Sequence, residues 1–334
     1  MESLIFYDRE HVLERTSVRK HEVKIGEQID VLESLSAIQQ TPAKYILLGI
    51  AEDIGIRANH GRKGASEAWE SALQTFLNLQ HTQYTHTQRV ALLGEINCKE
   101  ENYLADQLQP DEPNYYEALG KLVERIDKKV AEVVKEIVAH GKVPIVIGGG
   151  HNNAYGCIHG SYLGKETAIN AINFDAHTDF RPLEHRHSGN GFSFAFSKGY
   201  LNKYFMFGLH RNYTSQSIWD TMAQEGERIQ HVLFEDIIFG NKGSYEEALN
   251  KAIDFISDTN FGIELDLDSI ADIGSSAMTP SAFDLNQARF YLYRLTRLEN
   301  CTYIHLCEGA PKHGLYSNQI GKTLAYLISD CIAD

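Results

Sequence analysis

Positive charge is scarce in this sequence. Against 45 Asp and Glu there are 31 Lys and Arg over 334 residues, a formal net charge of −14. That excludes a nucleic-acid or anionic-membrane partner held by bulk charge, and it means that an anionic substrate needs local positive charge. Cysteine is equally thin. Cys98, Cys157, Cys301, Cys307 and Cys331 are scattered, with no CxxC pair. An odd, dispersed set argues against a disulfide framework and for reduced thiols in the cytosol. No stretch approaches the ~18 apolar residues that span a bilayer, and the opening MESLIFYDREHVLERTSVRK has no apolar signal core. The expected setting is cytoplasmic. There is no internal repeat, low-complexity tract or convincing linker, and neither GxGxxG nor GK[ST] occurs after a strand, so the glycines at 148–150 are not read as a phosphate cradle.

What is present reads as strands alternating with helices. Hydrophobic content of 43% and charged content of 23% are ordinary for a globular protein. Apolar runs predict strands at 45–50, 89–95, 143–147, 168–174, 204–209, 231–234, 261–268 and 303–309. Leu119, Leu122, Val123, Ile126, Val130, Val133, Val134, Ile137 and Val138 recur at three- and four-residue steps and predict one long helix over 115–139. Helical spacing also marks 66–77, 245–257, 286–298 and 318–332, whereas 97–113, polar and with two prolines, reads as a loop. Residues 1–44 look like an extension packed on the main body, and 45–334 like a single α/β domain with a mostly parallel sheet. In such sheets, ligands bind beyond the carboxyl ends of the strands.

Chemistry gathers at those ends. Asp175, His177 and Asp179 follow an apolar strand two residues apart. If the backbone stays extended, all three point the same way while Ala176 and Thr178 face away. Asp266 and Asp268 repeat the device, His151 closes a glycine turn after another strand, and Glu308 ends a fourth. Two imidazoles and four carboxylates suit a pair of hard or borderline divalent cations with bridging carboxylates, Mn before a thiolate metal. Unpaired carboxylates buried together would be very costly. Glu264 shares the parity of Asp266 but lies deeper in its strand, where pairing with a basic neighbour is its expected role. The loop 180–191, polar, positive and glycine-rich, is the candidate substrate loop. Arg57 and Arg62 are set either to pair with Glu52 and Asp53 or to meet another subunit.

With GGGH at 148–151, DAHTD at 175–179 and DLD at 266–268 in this order, the chain resembles the arginase-like ureohydrolases over roughly 45–332. The resemblance implies a three-layer α/β/α fold and two Mn2+ held by His151, Asp175, His177, Asp179, Asp266 and Asp268. Within the family the likeness is greatest to formimidoylglutamase. GGGH replaces GGDH, and the segment from Gly55 to Ala65 is similar to that group's GVRxNxGRxGA loop. SGN at 188–190 matches, but Gly191-Phe192 follows where arginases carry a proton-transferring His, so His185 or His187 is a possible substitute. The implied reaction takes N-formimino-L-glutamate and water to L-glutamate and formamide, in histidine degradation. Asp179 would be both ligand and proton shuttle, and Glu308 would hold the cationic amidine nitrogen. Arg181 would clamp a substrate carboxylate, with Asn190, Asn59 and Arg62 as weaker candidates for that task. The family also implies a homo-oligomer, trimer or hexamer. The rival expectations are arginase, agmatinase or guanidino-acid hydrolase activity and, from another class, a non-catalytic binding or assembly protein.

Overall fold

The structure, a computed structural model, describes residues 3–334. Among these, ten strands form one sheet: β1 (Leu4–Phe6), β2 (Asp30–Val31), β3 (Tyr45–Ile50), β4 (Val90–Ile96), β5 (Val143–Ile147), β6 (Ile169–Phe174), β7 (Leu201–Leu209), β8 (Ile229–Leu233), β9 (Phe261–Asp266) and β10 (Cys301–Cys307). Their order is β1-β4-β3-β5-β10-β9-β6-β7-β8, with β2 also pairing β4. Every described pairing is parallel except β1 on β4.

Strand parity builds the layers. Leu47, Ile145, Ile172, Ile263 and Ile304 turn to one face, where helices Ala68–Leu77, Leu285–Leu295 and Gln319–Ile332 cover them. Ile46, Leu48, Val146 and Ala171 turn to the other, under helices Tyr115–Ala139 and Asn153–Lys165. A parallel sheet covered on both faces needs apolar residues of both parities. That is why Tyr45–Ile50 and Val143–Ile147 carry no polar alternation and are buried throughout. The result is a three-layer α/β/α fold. Among the described residues no helix is long and apolar enough to cross a membrane.

Register then aligns the ends of the four middle strands. Ile147 pairs with Leu306, Leu306 with Leu265, and Leu265 with Phe174, one row across β5, β10, β9 and β6. The residues just past that row are Gly148–His151, Cys307–Glu308, Asp266–Asp268 and Asp175–Asp179.

Residues 3–44 add short strands to the sheet: β1 pairs Leu4 with Ile96, and β2 pairs Val31 with Leu92. The expected loop over 97–113 is corrected by a helix at Lys99–Gln107. Only Glu101 and Ala105 of that helix are buried, so it offers no apolar stripe to read. Its anchor is a carboxylate. Glu101 accepts a hydrogen bond from Lys129 Nζ at 2.7 Å and pairs with Arg125 Nε at 3.1 Å, both from the long helix. Removing a buried partner strands the opposite charge. Glu101→Ala is therefore expected to lower unfolding stability by about 2 kcal/mol, toward the low end because Arg125 and Lys129 keep some contact with water. A urea titration that leaves the midpoint unmoved would refute the assignment.

Candidate metal centre

The turn at Gly148–Gly150 sets His151. Gly148 and Gly149 have φ of 91° and 73°, a region in which a side chain is strained. At Gly149 an added Cβ would also stand 2.4 Å from Asn153 Nδ2. Glu52, fully buried at the end of β3, ties the turn down with neutral donors. Its carboxylate accepts from the Ile54 N–H at 2.7 Å, the Gly150 N–H at 3.1 Å, Asn152 Nδ2 at 3.2 Å and Asn153 Nδ2 at 2.6 Å. Arg57, one of its expected partners, pairs with Asp106 instead at 3.0 Å. Asp53 accepts from the Gly64 N–H and Ser66 Oγ, not from an arginine.

The two aspartate motifs converge by a different route from the one their spacing predicts. The strands stop at Phe174 and at Asp266, and the backbone beyond is bent rather than extended. Asp175 Oδ1 accepts the His177 N–H at 2.7 Å, and Asp266 Oδ1 accepts the Asp268 N–H at 2.8 Å. Each first aspartate thus folds its own loop by bonding two residues on. Asp179 reaches the cluster with a left-handed φ of 43°.

Two groups of metal-grade atoms result. His151, Asp175, Asp179 and Asp266 form one, and Asp175, His177 and Asp268 the other, the atoms of each within 4.8 Å of one another. His151 Nδ1 lies 3.3 Å from Asp175 Oδ2, 2.8 Å from Asp179 Oδ2 and 3.1 Å from Asp266 Oδ2. His177 Nδ1 lies 3.5 Å from Asp175 Oδ1 and 3.3 Å from Asp268 Oδ2. Asp175 serves both groups, one oxygen to each. The His151 ring is fully buried, yet neither nitrogen makes a well-formed hydrogen bond. Burial and the facing Asp268 push the Asp266 carboxyl well above the carboxylate range, and the same two causes lift Glu308 to about 8. Carboxylates that repel one another around an unsatisfied imidazole fit divalent cations, whose charge would reverse these shifts.

Behind His151 sits Glu264. It accepts from Tyr303 Oη at 2.7 Å and from His305 Nδ1 at 2.7 Å, and it lies 3.4 Å from His151 Nε2. All four side chains are buried.

A cavity of about 580 Å3 opens over the cluster. Asp179, His177, Asp266, Asp268 and Glu308 line it, and so do Asn59 and Arg181. Glu308, at φ 63°, accepts from the His151 N–H at 2.9 Å and from Ser276 Oγ at 3.2 Å. Arg181 donates to Asn59 Oδ1 at 2.5 Å and is about half exposed. The other two candidate substrate contacts do not line the cavity. Asn190 is buried, its amide occupied by His185 O and the His187 N–H, and Arg62 donates to Ser275 O and Ser276 O. Nor do His185 and His187 reach it. His185 bonds Ala58 O, and His187 bonds Glu184, with burial pushing its ring down to about 4. The sequence reading overlooked Tyr213, which lines the cavity and stacks on His177 at 5.0 Å between ring centroids. It sits past the end of β7, so the strand-end rule covers it, but a lone Tyr in a polar loop carries no motif.

The sequence profile of the arginase family matches residues 43–332. The chain belongs to the arginase family. Among its relatives, a formimidoylglutamase of Geobacillus sp. (strain WCH70) is 26% identical over 316 residues, covering 92% of this chain and 88% of that protein. One from Streptococcus pyogenes serotype M12 is 25% identical over 284 residues, covering 81% and 79%. In fold, this arginase-family chain is similar to the formimidoylglutamase of Bacillus subtilis, with TM-score 0.74, 15% identity and coverage of 95% and 93%. It is likewise similar to Trypanosoma cruzi formiminoglutamase, a structure containing Mn2+, with TM-score 0.72, 16% identity and coverage of 93% and 98%.

In a metal site of this kind, an outer carboxylate orients the imidazole and raises its basicity. Glu264→Gln is expected to weaken Mn2+ binding by about 10–100-fold. Calorimetric titration of the metal-free protein reads this directly, and unchanged affinity would assign Glu264 to packing alone.

Proposed function

We propose that this arginase-family protein is a dimanganese formimidoylglutamase, hydrolysing N-formimino-L-glutamate to L-glutamate and formamide. One observation carries the reading: six side chains from three strand ends form two ligand groups that share Asp175, and four of the six line a cavity that also presents a carboxylate and a guanidinium. His151, Asp175, Asp179 and Asp266 would hold one ion, and Asp175, His177 and Asp268 the other. Such a pair, when bound, supplies Lewis acidity and lowers the pKa of water toward neutrality.

The chain's own residues do the rest. Glu308, fixed by the His151 N–H and Ser276 Oγ, accepts the hydrogen bond of the cationic amidine nitrogen. Asp179 takes the proton released by the attacking water and hands it to the α-amine as the C–N bond breaks, through the oxygen that does not face His151. Arg181, steadied by Asn59, binds a substrate carboxylate. Glutamate is anionic and the protein stands at −14, so a local contact from one loop must supply the carboxylate recognition that bulk charge does not. Agmatine has no carboxylate for Arg181. Residues 45–334 are the proposed catalytic unit, with 1–44 packed on its sheet edge. The setting that goes with it, a cytoplasmic homo-oligomer in histidine breakdown, is part of the same proposal.

The test is a substrate panel on Mn2+-loaded protein. Formiminoglutamate should turn over well ahead of arginine, agmatine and guanidinobutyrate. Fewer than two metal ions per chain, with no turnover of any of the four, would favour a non-catalytic binding protein. Arg181→Ala should raise KM for formiminoglutamate about 10–100-fold with kcat little changed, since a carboxylate far from the reacting carbon contributes binding common to ground and transition states. A fall in kcat alone would take Arg181 out of that role.

A further inference from the structure

The loop that carries Arg181 is divided in two. Residues 181–184 are exposed, whereas 186–190 are buried. Its ends are tied by the Arg181 N–H to Gly189 O at 3.0 Å and by Ser193 Oγ to Arg181 O at 2.6 Å. Where the loop turns inward, Arg186 enters the protein with only 2% of its surface exposed. Nε donates to Asp127 Oδ2 at 2.9 Å and Nη2 to Asp127 Oδ1 at 3.2 Å, a bidentate pair with the middle of helix Tyr115–Ala139. Nη2 also donates to Asn152 O at 3.0 Å, next to His151. Nη1 donates to His187 O at 3.2 Å and to Asn190 Oδ1. The guanidinium lies over the rings of Tyr155 at 5.2 Å and Phe194 at 5.0 Å.

The helix receives the loop at a second point. Gly120 stands seven residues before Asp127, two turns away on the same face. A Cβ there would meet Arg186 N at 3.0 Å and His185 Cβ at 2.9 Å, so the loop backbone lies directly on the helix. One guanidinium thereby joins three bodies: the long helix, the segment next to His151, and His187 and Asn190, which flank the cavity-lining Ser188 and Gly189.

We propose that Arg186 is a positioning residue for substrate binding, setting the distance between the Arg181 clamp and the metal centre through Asp127 and Asn152. Buried charge pairs are weak evidence for a role in stability. This one reaches both the turn of the metal centre and the substrate loop, and only a planar fork makes these bonds together. The inference rests on the proposed function for its substrate but not for its structural readout.

Two variants test it on the full chain: Arg186→Lys, which keeps the charge and loses the fork, and Gly120→Ala, which pushes the loop backbone off the helix without altering the Arg186 or Asp127 side chain. In each, KM for formiminoglutamate should rise about tenfold or more, as misplacement of a positioning group can cost up to about a hundredfold. Values of kcat and Mn2+ bound per chain should hold within about twofold, and hydrogen exchange should quicken across 181–190 and not across 148–153. Unchanged KM with unchanged exchange in both variants would overturn the proposal, as would metal content falling in step with activity. If wild-type protein does not turn over formiminoglutamate, the functional reading fails. The exchange pattern and the Mn2+ titration then still decide whether Arg186 holds this loop independently of the metal turn.

Discussion

Carboxylates held face to face out of water are the constraint around which this molecule is arranged. Asp175, Asp179, Asp266 and Asp268 converge within a few ångströms, and among the described residues two imidazoles stand between them. Such a cluster is tolerable only with cations. The surrounding structure exists to keep it in place. The row Ile147–Leu306–Leu265–Phe174 aligns four strand ends, and each leading aspartate folds its own loop by accepting the N–H two residues on.

A second way of burying negative charge stands beside the first. Glu52 is as deeply buried as Asp175 but meets backbone N–H groups and asparagine amides. Glu264 meets a phenol and two imidazoles. Neither opens to the cavity. Both fix the two sides of His151, Glu52 through the turn that precedes it and Glu264 through the ring itself. The division is spatial as well: Glu52 and Glu264, met by protein donors, build the frame, while Asp179, Asp266 and Asp268 line the cavity.

How legible this was in the sequence follows from the same physics. Buried parallel strands announce themselves because both faces must be apolar, so Tyr45–Ile50 and Val143–Ile147 needed no structure to be found. Ligand-type residues past those strands were legible too, since strand ends set their location whatever the detail of the loop. The detail was not. Extended spacing placed Asp175, His177 and Asp179 on one side, yet the backbone bends and Asp179 adopts φ 43°. Helix Lys99–Gln107 hid because its buried anchor, Glu101, is a charge and periodicity counts apolar residues. Arg62 and Asn190 are weaker candidates for substrate contact, drawn from motifs similar to those of the family. Asn190 Nδ2 is taken up inside its own loop by His185 O, and Arg62 donates to Ser275 O and Ser276 O, more than 200 residues away. The role of Arg186 was invisible for the same reason: its partner Asp127 is 59 residues away.

The scarcity of positive charge also gains a structural meaning. Arg57 is bound to Asp106, Arg186 to Asp127, and Arg62 to the backbone at 275–276. Of the arginines in the 57–62 and 181–186 segments, Arg181 alone lines the cavity, and it too has an acid, Glu184, 3.4 Å away on the same loop. In a chain at −14, a single solvated guanidinium gives little long-range attraction for an anion. What it can give is geometry, a planar fork presented at a fixed distance from the cluster. Under the proposed function, selectivity for a carboxylate-bearing substrate then comes from where Arg181 is held rather than from how much charge surrounds it, which places the burden on the buried half of its own loop.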